Sequence, residues 1–372
     1  MSKKVVESKN IKRFYVPRTA VIYFSDSDLS IFDNFTKSIV EYTDFIQIGS
    51  IDKSKEIKKA NAYKKRFFPW LEFKKNEERI MKSSTFFNTI GSEITKSLKK
   101  IDIAIIVYKS NDLNILNYVE ELSGILCKND VFSFHFSVEN FIQSEESRKK
   151  YEKLIKNFTK KRQIHVPIKE EAIVLSYSNA NIANRNYYTN LYINNLIDLF
   201  VAPFLDPKRN PDAFSRTKAL FYQSKKNFES KVITTMGYSD AKIDNVDLAL
   251  IQALSNPMFA AAFDASNTFI IDVKMPFFLD YHLERINQIL KSVVGEWKQF
   301  YINSYTGSFE YDKYCQISIM AINVNESKLI SDPEKINAHV KMILNNVQKS
   351  RNLFDNETKE ILLEKRIDVL EG

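Results

Sequence analysis

Glycine is what this chain has least of. Its 372 residues include 7 glycines, where average usage near 7% would give roughly 26. Backbone N–H groups need glycine beside them if the main chain is to approach phosphate oxygens closely. Glycine-rich phosphate loops are therefore nearly excluded from the start. Neither a P-loop nor a G-x-S-x-G nucleophile elbow occurs. Cysteine is scarce as well. Cys127 and Cys315 lie far apart, which excludes a disulfide framework and a thiolate metal site and suits a reducing, cytoplasmic compartment. His135, His165, His282 and His339 have no metal-ligand spacing, so no metal is expected. No uninterrupted apolar run approaches the ~18 residues of a membrane span, and no charged-then-apolar signal opens the chain.

What is present suits a globular protein: 44% hydrophobic residues over a length that allows two or three domains with ample core. The formal charge of +8 either favours nucleic acid or an anionic lipid surface or simply reflects a lysine-rich composition. Residues 52–82 concentrate the lysine and arginine around Phe67-Phe68-Pro69-Trp70-Leu71. Basic residues interleaved with aromatics can bind single-stranded nucleic acid; the plainer alternative is a half-exposed loop with one apolar anchor.

Residues 1–18 form a basic arm. Thr19 to Phe24 reads as a strand, followed by a helix through about Tyr42 and a second strand over Phe45–Ile51. A helix over 83–99 precedes the short apolar run Ile101–Val107, which suits a strand buried on both faces. A helix over Leu113–Cys127, a strand over Val131–Phe136 and a charged helix from Ser144 come next. Ala172–Tyr177 reads as a strand, and a long helix over Asn184–Leu199 is stopped by Pro203 and Pro207. Strands alternating with helices imply a largely parallel, doubly wound α/β sheet.

The stretch from Asp247 to Asn323 carries the clearest pattern. A helix over 246–254 is stopped by Ser255-Asn256-Pro257. Phe269, Ile271, Val273 and Met275 alternate onto one strand face, and Leu279, Leu283, Ile286, Leu290 and Val293 recur at helical spacing. Strands near 298–305 and 314–324, joined around Gly307, predict a closing hairpin. Ala253-Leu254-Ser255-Asn256-Pro257-Met258-Phe259 resembles the A-I-S-S-P-L-L segment of FtsZ, the bacterial tubulin homologue. The strand Ile317-Ser318-Ile319-Met320-Ala321-Ile322 resembles that family's V-T-V-I-A-T.

This resemblance to the FtsZ/tubulin superfamily covers about 19–325 and implies an organisation. Residues 19–205 would form a Rossmann-like nucleotide-type domain ending in a central helix, and 206–325 a smaller α/β domain. A helical tail, 326–372, would follow where FtsZ has a disordered linker. The resemblance also implies a GTP site, and here the chain departs from the pattern. Ser25-Asp26-Ser27-Asp28 and Lys109-Ser110-Asn111-Asp112-Leu113-Asn114 stand where the family has glycine-rich phosphate loops. Asp26, Asp28 and Asp112 would face a triphosphate, and like charges ~4 Å apart cost about 1 kcal/mol even in a water-like dielectric. The nucleoside side matches better. Glu146 and Lys150 fall on the family's ribose and phosphate residues, and Ile182 and Asn186 on its guanine-stacking and guanine-pairing positions.

The family's hydrolytic loop is approached by Asn210-Pro211-Asp212-Ala213-Phe214-Ser215. Asn210 and Asp212 match, and its second acid becomes Ser215; an ungapped alignment keeps only Asp212, in the other role. The resemblance implies a cytoskeletal or division-related polymer, assembling alone or with an intact FtsZ, with GTP bound weakly at best. Lys208, Arg209, Asp212 and Arg216 on one side and Asp26, Asp28 and Asp112 on the other are the expected head-to-tail contacts. An active GTPase with rebuilt loops, and a nucleic-acid- or membrane-binding protein using 52–82, are the alternatives. In the tail, Asp332-Pro333 and Asp355-Asn356 are helix starts. The apolar stripes after them, Ile336, Val340, Ile343, Leu344, Val347 and then Ile361, Leu362, Ile367, Leu370, either pack on the chain's own body or meet a partner.

Overall fold

The structure is a computed structural model. It describes residues 15–24, 43–50, 64–74, 77–139, 144–169, 173, 185–206, 210–222, 231–240, 246–275, 278–294, 298–305 and 314–349. Two sheets and a long helix between them organise it.

The first sheet has six parallel strands in the order β3-β2-β1-β6-β7-β8. These are β1 Thr19–Phe24, β2 Thr43–Gly49, β3 Lys64–Pro69, β6 Ile103–Lys109, β7 Phe132–Glu139 and β8 Ile164–Lys169. β1 is buried at every residue and β6 at all but its last, as continuous apolar runs in a doubly covered sheet should be. Helices α1 Ser83–Asn88, α2 Ser92–Leu98, α3 Leu113–Lys128 and α4 Glu145–Lys160 accompany it. Ile22, Phe24, Trp70, Tyr118 and Leu122 belong to the core on one side of the sheet.

Several expectations need correction here. The basic stretch 52–82 is not a plain loop: Lys64–Pro69 is the edge strand β3, and β4 Leu71–Lys74 pairs with β5 Glu77–Ile80 as a small ribbon. Proline is tolerated at the end of β3 because an edge strand has free pairing positions. Trp70 is fully buried and its indole N–H donates to Ser50 Oγ at 2.8 Å. The helix expected over 83–99 is broken into α1 and α2 around Gly91, where a Cβ would lie 2.8 Å from Phe87 Cα. The sixth strand is 164–169 rather than 172–177. Ile173 is helical, and the rest of 172–177 lies outside the described residues.

The long helix, α5 Arg185–Leu205, runs through Pro203 rather than stopping at it; Pro203 has no N–H to donate one turn back, and the helix ends two residues later. With 21 residues it is about 30 Å long at 1.5 Å per residue. One core unites α5 with Phe134, Phe136 and Val166 of the first sheet and with Ile270, Met320 and Ile322 of the second.

The second sheet has the order β11-β10-β12-β9, with β9 Ile233–Asp240, β10 Thr268–Lys274, β11 Gln299–Tyr305 and β12 Tyr314–Ile322. The closing hairpin is therefore absent: β10 lies between β11 and β12, parallel to the first and antiparallel to the second. Helices α6 Ala213–Tyr222, α7 Val246–Leu254, α8 Pro257–Ala262 and α9 Asp280–Val294 complete this half. Asn256 does stop α7, and its side chain accepts from Met258 N at 2.9 Å to cap α8. The first tail helix, α10 Pro333–Lys349, packs Val340, Ile343 and Leu344 into the same core as Phe269 and Ile286. The second expected tail helix and the basic arm before Tyr15 lie outside the described residues.

Candidate functional site

β2 lies on one side of β1 and β6 on the other. The chain order reverses there, and the crevice outside the C-terminal ends of β1 and β6 is the usual ligand position in open α/β sheets. The loop after β6 borders that position. Ser110 is buried, and its N–H and hydroxyl both donate to Val138 O, at 3.0 and 3.1 Å. Asp112 is the N-cap of α3, and its Oδ1 accepts from Asn114 N at 2.8 Å and Ile115 N at 3.2 Å. Those amides and the positive end of the helix dipole are what an incoming anion would otherwise use.

The loop after β7 leads to α4, capped by Ser144, whose Oγ accepts from Ser147 N at 3.1 Å. Glu146 is exposed in the first turn of α4. Lys150 does not point at the crevice mouth: its ammonium pairs with Glu120 on α3, which also accepts from Asn157 Nδ2 at 3.5 Å. Beneath α4 lies a buried polar cluster. Ser137 Oγ is 2.6 Å from Tyr151 OH and 2.8 Å from His165 Nε2. Tyr151 OH is also 2.8 Å from His165 Nε2 and donates to Glu139 at 2.9 Å. His135 stacks on Phe158 with ring centres 3.8 Å apart. Burial pushes His165 down to about 3 and holds His135 well below its ordinary value. Burial, then the nearby Glu139, pushes the Tyr108 hydroxyl far above the usual phenol range. The cluster is enclosed, so its work is to fix α4 on β7 and β8.

At the start of α5, Asn186 is exposed, and so is Tyr187, at 63%. Tyr187 packs edge-on against Tyr188 at 5.2 Å. Sequence reasoning passed over Tyr187, although two adjacent tyrosines on an otherwise polar first turn are a signal. Asp26, Asp28 and Ile182 lie outside the described residues, as do Lys208 and Arg209.

The other candidate residues sit at the opposite end. Asn210 is tied to the second sheet: its Nδ2 donates to Ser304 O at 2.8 Å and its Oδ1 accepts from Ser304 N at 3.3 Å. Asp212 is exposed beside it. Arg216 turns inward, with Nη2 donating to Asn303 Oδ1 at 2.5 Å, while Asn303 Nδ2 donates to Asp272 Oδ1 at 2.7 Å. Burial raises the Asp272 carboxyl to about 8. The sequence hint for this triad was the second face of β10, where Ile270, Asp272 and Lys274 alternate with the core face. Lys274 also pairs with Asp198 of α5 at 2.8 Å, both nearly buried. Phe214, next to this loop, is 6.3 Å from Tyr15 and 6.3 Å from Phe132, residues that precede β1 and open β7. Asp112 and Glu146 thus lie at the C-terminal edge of the first sheet, and Asn210 and Asp212 at its N-terminal edge. One molecule does not bring the two sets together. Among the described residues no group of three or more His, Cys, Asp or Glu could hold a metal ion.

No family model matches the sequence, and no curated protein matches it. Solved structures do match. An FtsZ dimer in the empty state from M. jannaschii superposes with a TM-score of 0.61 at 12% identity, over 85% of this chain and 95% of that one. The fold is that of FtsZ. A tryptophan-to-tyrosine variant of the same FtsZ gives a TM-score of 0.58 at 11% identity, over 83% of this chain and 92% of that one. CetZ from Methanosaeta thermophila gives 0.54 at 12% identity, over 95% and 98%. At such identities the likeness to FtsZ and CetZ is one of fold, and site chemistry has to be argued from the residues present.

Proposed function

We propose that this chain is a structural component of an FtsZ-type polymer, assembling with itself or with an intact FtsZ, and that GTP binding and turnover at its crevice are weak or lost. The carrying observation is Asp112. Its carboxylate already satisfies the first free amides of α3, so a phosphate entering there would have to displace that carboxylate and would be repelled by its charge. The family-like loop with Asn210 and Asp212 lies at the opposite end from Asp112 and Glu146, an arrangement that would form a composite site only between successive molecules. One of the structural neighbours is an FtsZ dimer, which supports self-association as the mode. Such a head-to-tail contact does not close on itself and propagates as a filament.

Calorimetry with GTP and GDP, together with a phosphate-release assay, tests the reading. GTP at the crevice is expected to bind no tighter than ~1 mM, about −4 kcal/mol, with turnover at background. Micromolar binding that is altered by Asp112→Ala, accompanied by turnover, would favour an active GTPase with rebuilt loops. No observation on the described residues favours nucleic acid or a membrane surface as the main partner.

A further inference from the structure

The N-terminal edge of the first sheet carries a second concavity, remote from the crevice. It is an open cleft of about 560 Å³ between the start of β1, the ends of α2 and α3, and the first turns of α6. Arg18, Lys99, Lys100 and Lys218 line it, against Asp102 and Asp130, an excess of two positive charges. Asp102 is occupied internally: its Oδ2 accepts from Arg18 N at 2.8 Å, and the Tyr15 hydroxyl is hydrogen-bonded to the same carboxylate. The Arg18 guanidinium is 4.0 Å from Asp44 and half exposed. Lys218 rests 6.0 Å from the Tyr222 ring centre, with no carboxylate in contact among the described residues. Lys99 and Lys100 are exposed and make no ion pair among the described residues. Along one wall, Tyr15 is 62% exposed and leans on Phe214.

We infer that this cleft is a docking site for an acidic peptide segment of a partner protein, with carboxylates on Lys99, Lys100 and Lys218 and an apolar side chain against Tyr15. The floor decides between a peptide and a compact phosphate. The C-caps of α2 and α3, Lys99 and Asn129, line the cleft, so it is bordered by C-terminal helix ends and not by the free amides of an N-terminus. A phosphate there would lack the backbone donors that usually hold it. Separated lysines on a rim suit singly charged carboxylates spread along a chain. This inference is independent of the polymer reading and concerns the opposite edge from the nucleotide-type crevice.

Fluorescence anisotropy of a labelled peptide with alternating glutamates and one central phenylalanine, titrated with the full chain at low salt, tests it. Binding is expected with Kd below about 100 µM, weakening as salt screens the charges. The double variant Lys100→Glu/Lys218→Glu should weaken it at least tenfold, and Tyr15→Ala should lower affinity without changing the salt dependence. Lys153→Glu/Lys156→Glu makes the same change in net charge on exposed positions of α4 and should leave binding intact. Equal losses in both double variants would mean attraction to bulk charge and overturn the proposal. So would pyrophosphate displacing the peptide at lower concentration than a glutamate peptide of equal charge. Melting curves of each variant exclude misfolding as the cause.

Discussion

At the residue scale, buried ionisable groups set the response to pH. His135 and His165 stay neutral in the fold, with His165 lowered from 6.5 to about 3. In the unfolded chain each takes up a proton near pH 6.5, so the unfolded state binds more protons as the pH falls and stability drops. His165 thus contributes stability that is present above pH 6.5 and lost between there and about 3. The slope is at most about 1.4 kcal/mol per pH unit for each histidine. Urea titrations of His165→Gln should show that slope reduced by one proton relative to the parent chain. Asp272 behaves in the opposite sense. Its carboxyl keeps its proton in the fold up to about 8, while the unfolded group loses it near 3.8. The native state therefore binds more protons across that window, and stability is lost as pH rises through it. Asp272→Asn cannot ionise, so its Tm advantage over the parent should grow from pH 5 to pH 8. An unchanged difference across that range would mean the carboxyl is ionised in the fold.

At the element scale, one glycine and one helix carry the second half. Gly237 on β9 faces α7 so closely that a Cβ would lie 1.9 Å from Ala249 O and 2.8 Å from Ala253 N. Both are backbone atoms and cannot rotate away, so Gly237→Ala must push helix from strand; overpacking of this kind typically costs 1–3 kcal/mol or more, and we expect a loss of about 3 kcal/mol in denaturant unfolding. In a chain so poor in glycine, that position has a steric reason. The tail helix α10 is part of the core rather than an appendage. Val340, Ile343 and Leu344 are buried against the second sheet's helices, and each such side chain stabilises by about 1.5–3 kcal/mol. Against a total stability of about 5–15 kcal/mol, truncation after Asp332 should lower Tm sharply and expose apolar surface to a dye such as ANS. A truncated chain that melts like the parent would show α10 to be dispensable.

At the scale of the whole molecule, the two ends differ in what they offer. One has Asp112 and Glu146 and the other Asp212, while Lys208 and Arg209, expected at that joint from the sequence, lie outside the described residues. Exposed ion pairs are worth only ~0–1 kcal/mol each, yet several across a closed joint can set register and direction. Assembly without nucleotide is therefore expected at low salt and should recede as salt is raised, followed by light scattering or electron microscopy at tens of micromolar. Charge reversal at Asp28 or Arg209 should suppress it. A monomer indifferent to salt and to both reversals would leave only a role beside an intact FtsZ.

The sequence by itself determined the element types and much of their order. Periodicity in Phe269–Met275, the all-apolar Ile103–Val107 and the Asn256-Pro257 stop are local signals, and local signals survive in a single chain. It also determined what the crevice lacks, since no arrangement of this backbone can supply missing glycines. Pairing was decided only in three dimensions. β11 and β12 are neighbours in sequence, yet β10 separates them, because strand partners are chosen by long-range burial and not by periodicity. The strand Lys64–Pro69 was hidden by its own charges, which an edge position tolerates. Tertiary structure likewise decided which candidate residues are available. Arg216 and Lys150 look like free surface cations in the sequence, but packing hands them to Asn303 and Glu120. Asp112 looks like a stray acid and becomes the cap of α3, a role that exists only once the helix behind it has formed.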